Sequence, residues 1–122
     1  MKPSVITPAY VALYPLLSEV ARKHGYCLAI HGSVGRDMDL LAAPWTETAG
    51  DPLDMIKEMK SVTASVTHSS EDDQFFPDCH PTVKPHGRLA YSLHLTDRGG
   101  AGPYLDVSVM PRLTSRTPIS GG

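Results

Sequence analysis

The stretch HGSVGRDMDLLAAPW, residues 31–45, carries the pattern that decides the fold and the candidate site of this chain. A glycine-serine pair, Gly32 and Ser33, is followed shortly afterwards by two aspartates, Asp37 and Asp39, with a methionine between them. The aspartates stand at the head of an apolar run, and aspartate is depleted in strands. Their position therefore calls for a chemical explanation beyond strand propensity.

Length and composition predict one folded domain. The chain has 122 residues, 41% of them hydrophobic, which is enough to bury a core without metal or disulfide support. The net charge of -2 argues against broad electrostatic binding to nucleic acid. We expect a single domain over residues 1–111 and a flexible tail over residues 112–122, where no periodicity is visible.

Localisation is predicted from what the sequence does not contain. The N-terminal residues hold no apolar core of signal-peptide length, and no run approaches a membrane span. The two cysteines, Cys27 and Cys79, have no metal-like spacing and fit a reducing compartment. A cytoplasmic protein is the expectation, with Cys27 buried in the apolar run CLAI.

Two helices are predicted, each with one apolar face. The first begins at Thr7-Pro8, and Pro15 inside it predicts a kink or a later start. The second is capped by Asp51-Pro52, with Val66 as the last residue of its buried stripe.

Four strands are predicted around these helices, at residues 26–32, 37–44, 88–95 and 103–111. The order predicts an α+β fold with a single mixed or antiparallel sheet and two helices packed on one face. The acidic, proline-bearing segment 69–87 is predicted to be a long loop, and Trp45 is predicted to pack over the end of the sheet.

Three aspartates can converge in such a sheet. Side chains two apart on a strand share a face, which gives Asp37 and Asp39 one face, and Asp106 projects opposite to its apolar neighbours on the last strand. If the two strands are close, the carboxylates repel each other unless one is protonated or a cation intervenes. Mg2+ prefers such oxygen ligands. The alternative is a turn residue and two exposed surface aspartates.

The Gly-Ser pair offers a complementary site for phosphate. Gly32 allows the backbone to approach a phosphate closely, and a turn can direct N–H groups and the Ser33 hydroxyl toward it. Arg36 carries a fixed fork of donors that can neutralise further phosphate charge. His31 could also contact phosphate, although a lone histidine at a strand end is more often structural.

Together these residues resemble the nucleotidyltransferase superfamily typified by DNA polymerase beta. The resemblance rests on a Gly-Ser pair after a strand, an Asp-apolar-Asp strand and a later strand with one aspartate. It implies that Asp37, Asp39 and Asp106 bind Mg2+, with Asp106 also helping to activate an attacking hydroxyl. It also implies that Gly32 and Ser33 bind a nucleotide triphosphate, to which Arg36 would contribute its charge.

The match departs from the family in one place, because only Val34, Gly35 and Arg36 separate the Gly-Ser pair from Asp37. The family has a longer segment there, which includes the start of a helix. The shorter connection predicts a bare hairpin. The pattern is also similar to small uncharacterised phage and prophage proteins.

Two functions follow from these observations. The first is Mg2+-dependent transfer of a nucleotidyl group to a hydroxyl of a protein or small molecule. The alternative is a catalytically inactive protein of the same fold that binds or inhibits a host protein, as a phage accessory protein, through the acidic segment 69–87. A zinc site at Asp78, Cys79, His80 and His86 is a weaker candidate, because the spacing matches no standard structural site.

Overall fold

Two helices and five strands make up the part of the chain that a computed structural model describes, residues 7–35, 37–67, 81–95 and 104–112. The helices are α1 (Thr7–Lys23) and α2 (Pro52–Thr67). The strands are β1 (Tyr26–Val34), β2 (Asp37–Pro44), β3 (Thr82–Val83), β4 (Leu89–His94) and β5 (Tyr104–Val109). A short 3-10 turn, Pro85–Gly87, separates β3 from β4.

The strands form one sheet in the order β1-β2-β5-β4-β3. β2 and β5 pair in parallel, whereas the other neighbouring pairs are antiparallel. Of the two sheet types that the sequence allows, the mixed sheet is therefore the one observed, and the α+β class is confirmed. The parallel pair brings the aspartate-bearing strands β2 and β5 side by side at the centre of the sheet.

One core joins both helices to the sheet. Alternate residues of β2, Met38, Leu40 and Ala42, are buried, as are Val107 and its neighbours two apart on β5. The helical members of the same cluster include Tyr10, Leu13, Leu17, Met55, Ile56 and Met59. Because the strand residues in this cluster all project to one side, both helices cover the same face of the sheet.

α1 begins at Thr7 and continues through Pro15, so the alternative of a later start is wrong. Pro15 is exposed, which lets its ring project away from the core. A proline in a helix leaves the carbonyl four residues earlier without its usual donor, and water can supply that donor at an exposed position. α1 ends at Lys23, and Gly25 two residues later adopts a positive φ of 87° that a side chain would strain.

α2 begins at the predicted position. The Asp51 side chain accepts a hydrogen bond from the Leu53 backbone N–H at 2.9 Å, which satisfies one of the free donors of the first turn. The buried stripe ends before its predicted last member, since Val66 is 47% exposed. Glu58 on this helix accepts a hydrogen bond from Lys23 and contacts His24 at 2.8 Å, which links α2 to the end of α1.

Three further predictions are corrected. β3 lies inside the segment 69–87, which is predicted to be a loop, and it pairs with β4; a strand of two residues is too short to show a period. Cys27 is exposed, because strand alternation buries its neighbours Tyr26 and Leu28 instead. Trp45 is 77% exposed rather than packed over the sheet end. Of the predicted tail 112–122, residues 113–122 lie outside the described residues.

Neither helix in the described part of the chain is long and apolar enough to cross a membrane.

Candidate functional site

Three aspartates meet on the face of the sheet opposite the helices. Asp39 of β2 lies directly beside Asp106 of β5 in the parallel register, and Asp37 lies beside Tyr104. One carboxylate oxygen from each aspartate lies within 4.8 Å of the other two. All three residues are partly buried. The structure thus brings together the three carboxylates that the sequence predicts to converge.

The local sequence explains why these carboxylates face away from the core. β2 alternates strictly between the buried Met38 and Leu40 and the partly buried Asp37 and Asp39. A shift of one residue in register would place the charges in the core, so burial of the apolar face fixes the acidic face as well. The same argument holds for β5, where Leu105 and its neighbours two apart are buried.

The surroundings of Asp39 disfavour the charged form of its carboxyl group. Burial raises the pKa of the Asp39 carboxyl above its ordinary value, and the negative charge of Asp37 raises it further. A hydrogen bond to Asp37 and the charge of Asp106 act in the same direction, whereas His31 lowers the pKa. A carboxylate in this environment gains from a proton or a cation.

Two further residues, Tyr104 and His94, lie beside the aspartates in the sheet. The sequence alone does not assign them to the site. Tyr104 is hydrogen-bonded to Asp37, and the charge of Asp37 raises the pKa of the Tyr104 phenol, with desolvation and Asp106 adding to the effect. His94 of β4 pairs with Tyr104, and their ring centroids are 5.8 Å apart. The alternation that assigned Asp106 to this face also placed Tyr104 there, but it gave no reason to connect Tyr104 with Asp37.

Gly32 lies next to the cluster and is required there. Its φ is +74°, and a β-carbon at this position would lie 3.1 Å from Oδ2 of Asp39. The pairing of β1 with β2 also shifts here, because Ile30 pairs with Leu40 whereas Val34 pairs with Met38. Two extra residues of β1 are thus accommodated as an irregularity in the strand. The backbone at Gly32 remains close to the carboxylates without a side chain between them.

The other predicted phosphate-binding residues are placed only in part. Ser33 lies within β1, which continues to Val34, and its side chain lies outside the described part of the structure. Arg36 also lies outside the described residues. His31 is exposed on β1. The predicted hairpin between β1 and β2 is confirmed by their antiparallel pairing.

The weaker zinc candidate gains no support from its described member. His86 is exposed in the 3-10 turn, with a φ of 67°. Its proposed companions Asp78, Cys79 and His80, and most of the acidic segment, lie outside the described residues. Within the described part of the chain, the aspartate cluster is the one grouping of potential ligands with a spacing suited to a metal ion.

No protein-family model matches the chain, and a search of curated proteins found no similar sequence.

The donor set fits a hard divalent cation. Its ligands are carboxylate oxygens alone, which favour Mg2+, Ca2+ or Mn2+ over metals that prefer nitrogen or sulfur. The cluster supplies three side chains at most, so water or phosphate oxygens would complete an octahedral shell around Mg2+. The cluster could therefore hold a divalent cation.

Proposed function

We propose that this chain is a Mg2+-dependent nucleotidyltransferase-like protein that binds a nucleotide triphosphate and transfers a nucleotidyl group to a hydroxyl of a protein or small molecule. The observation that carries the proposal is the convergence of Asp37, Asp39 and Asp106 within 4.8 Å on one face of the sheet. The resemblance of the surrounding sequence to the superfamily typified by DNA polymerase beta supports the same assignment.

The three carboxylates would hold Mg2+, and the bound ion would supply stabilisation of the charge that develops on the attacking and departing oxygens. The raised pKa of Asp39 supports this role, since the same neighbours that favour a proton there favour a cation. Asp106, on the adjacent strand, would accept the proton of the attacking hydroxyl.

The triphosphate would lie beside Gly32. Gly32 is exposed, so a phosphate on an ion held by the aspartates could reach its backbone from the solvent side. The Ser33 hydroxyl and the Arg36 guanidinium would add donors to the phosphate oxygens. His31, the residue before Gly32 on β1, is exposed, and its charge lowers the pKa of Asp39.

One observation favours the second candidate, a catalytically inactive protein of this fold that binds a protein partner. β1 extends through Ser33 to Val34 and leads directly into the hairpin with β2. The Gly-Ser pair is therefore not followed by a helix N-terminus, which would supply aligned N–H groups and a favourable dipole for phosphate. In this case the chain would be a phage accessory protein, and its partner would be a protein of the host.

Calorimetric titration separates the two candidates. ATP and the other nucleotide triphosphates, each with Mg2+, are titrated into the wild type and into the double variant Asp37→Asn/Asp39→Asn. The matched control is Glu47→Gln/Asp54→Asn, which removes the same charge from exposed positions outside the cluster. We expect Mg2+-dependent binding by the wild type and the control, and loss of measurable binding in the cluster variant.

Two other results of the titration would lead to different conclusions. Absence of binding to every nucleotide would contradict the nucleotidyltransferase proposal and favour the inactive binding protein. Equal binding by the cluster variant would show that nucleotide is held elsewhere. If binding is found, transfer is tested with a nucleotide labelled at the α-phosphate, which would leave its label on the acceptor while pyrophosphate is released.

A further inference from the structure

Tyr104, the first residue of β5, stands beside the acidic cluster formed by Asp37, Asp39 and Asp106. The parallel register pairs Tyr104 with Asp37 of β2. Tyr104 also lies two residues before Asp106 on its own strand, so its side chain shares a face of the sheet with the carboxylates. The phenol is hydrogen-bonded to the Asp37 carboxylate, and both side chains are partly buried. Tyr104 therefore contacts the cluster without belonging to the carboxylate set.

The hydrogen bond has a defined direction and leaves Asp37 with capacity for another partner. An ionised carboxylate only accepts, so the phenol O–H is the donor. A carboxylate has two oxygens and about four lone-pair sites, of which one donor occupies one. Asp37 can therefore accept from Tyr104 and offer an oxygen to a cation at the same time.

Tyr104 is itself held in place from several sides. β5 lies between β2 and β4, so the backbone of Tyr104 is paired on both sides. The hydroxyl of Tyr10, a fully buried residue of α1, donates to the Tyr104 carbonyl oxygen at 3.4 Å. The His94 ring lies against the Tyr104 ring, with their centroids 5.8 Å apart. A residue fixed in this way can fix the orientation of the carboxylate that it contacts.

The donor is also neutral, which suits a group of carboxylates that is to receive a cation. A lysine or arginine beside Asp37 would neutralise its charge and compete with the ion. Within the described part of the chain, the ion pairs are formed by Glu19 and Glu58, and none involves an aspartate of the cluster. The Tyr104 hydroxyl thus supports Asp37 without reducing the negative charge available to a cation.

We propose that Tyr104 is a positioning residue, whose hydroxyl orients the Asp37 carboxylate toward Asp39 and Asp106 so that the three carboxylates bind one divalent cation together. This role rests on the proposed function, because it requires that the cluster binds a divalent cation. Hydrogen-bonding partners of metal ligands commonly orient them, and losing such a partner typically lowers metal affinity about 10–100-fold. Tyr104 acts through Asp37 and is not a catalytic residue.

The test is a titration of Mn2+ alone into the full chain at neutral pH, followed by the EPR signal of free Mn2+, which is lost on binding. Tyr104→Phe removes the hydroxyl and keeps the ring beside His94. The matched control is Tyr14→Phe, which removes a phenol hydroxyl that donates to the Leu28 carbonyl oxygen at 2.6 Å, outside the cluster. We expect Tyr104→Phe to weaken Mn2+ binding about tenfold and the control to bind like the wild type.

A second variant and two further measurements separate positioning from a structural role. Tyr104→Val deletes the ring as well and keeps a residue that favours strands. Its Mn2+ affinity should be as low as that of Tyr104→Phe, because the hydroxyl carries the effect. The EPR spectrum of bound Mn2+ should change in Tyr104→Phe, since a less restrained carboxylate alters the coordination. Thermal unfolding without metal measures stability separately, and a purely structural hydroxyl would change only that.

The outcomes distinguish this role from the proposed function. Wild-type Mn2+ affinity in Tyr104→Phe or in Tyr104→Val would overturn the role of Tyr104 and leave the metal site itself standing. An equal loss in Tyr104→Phe and Tyr14→Phe would also overturn it, because the effect would then follow from losing any buried phenol hydroxyl. A wild-type chain that binds no Mn2+ would contradict both the positioning role and the metal-dependent function. Circular dichroism confirms that the variants are folded.

Discussion

The two faces of the sheet are built from the same strands but carry different side chains: one face is apolar and buried, and the other is acidic. On the face toward the helices, Leu40 and Val107 are fully buried in a continuous apolar core. On the opposite face, one residue away on each strand, Asp39 and Asp106 bring like charges together. The first face gains stability from close packing, whereas the second loses some to repulsion. Such a loss is typical of functional positions, where local rules are broken for a purpose.

The largest expected effect comes from the packed face. Leu40→Ala removes a fully buried side chain from the central strand, and it should lower the free energy of unfolding by about 2–5 kcal/mol. Leu41→Ala is the matched control, because it deletes the same atoms from the next residue, which is only partly buried on the other face. Urea denaturation at fixed protein concentration measures both. An equal or larger loss for Leu41→Ala would contradict the division between the two faces.

A smaller effect of opposite sign is expected on the acidic face. Asp39→Asn removes one of two like charges that lie directly opposite each other, so at neutral pH without divalent cations it should stabilise the fold by up to about 1 kcal/mol. Glu47→Gln, an exposed change of the same charge, is the control. Thermal and urea unfolding in the presence of a chelator provide the measurement.

The stabilisation expected for Asp39→Asn should depend on pH, because the pKa of Asp39 is raised. A carboxyl with a raised folded-state pKa makes the fold less stable above that pKa than it is in acid. Below the ordinary value of 3.8 the group is protonated in both states, and the advantage of Asp39→Asn should disappear. A stabilisation that persists unchanged into acid would show that charge repulsion is not its cause.

The smallest effect is expected at the junction of the two helices, and its pH dependence runs the other way. Hydrogen bonds from Lys23 and His24 lower the pKa of Glu58 below its ordinary value of 4.5. The stabilisation from this group is therefore present above that value and is lost as pH falls through the lowered pKa. Glu58→Gln should be slightly less stable than the wild type at neutral pH and equal to it in strong acid.

Glu19→Gln is the control for that variant, because Glu19 is paired with Arg22 on one helix and does not connect α1 to α2. Unfolding followed from neutral to acid pH measures both variants. If Glu58→Gln and Glu19→Gln have the same pH profile, the contact between the helices contributes nothing beyond an ordinary surface pair.

The parts of the fold that the sequence predicts are those with a clear local period. The alternation in β2 and β5 correctly assigns Asp39 and Asp106 to the face opposite the core, and the start of α2 is predicted from Asp51 as its cap. The same local reasoning fails for Cys27, since a short apolar run does not reveal which of its members faces outward.

The candidate site itself depends on features that no local pattern contains. The parallel pairing of β2 with β5 decides whether Asp39 and Asp106 meet, and it results from packing between distant segments. The contribution of Tyr104 follows from the same pairing, because Asp37 is its neighbour only across the sheet. The extension of β1 past Gly32 was also missed, since a Gly-Ser pair resembles a turn more than the inside of a strand.

The parallel pairing also has a consequence for how the protein is made. β1 and β2 are adjacent in the chain and form a hairpin, whereas more than half of the chain separates Asp39 from Asp106. Contacts at such a distance form slowly, because a long loop must close first. During synthesis on the ribosome, Asp37 and Asp39 emerge well before β5 exists. The acidic cluster is therefore completed only when β5 inserts beside β2. Its formation coincides with the pairing of these two strands.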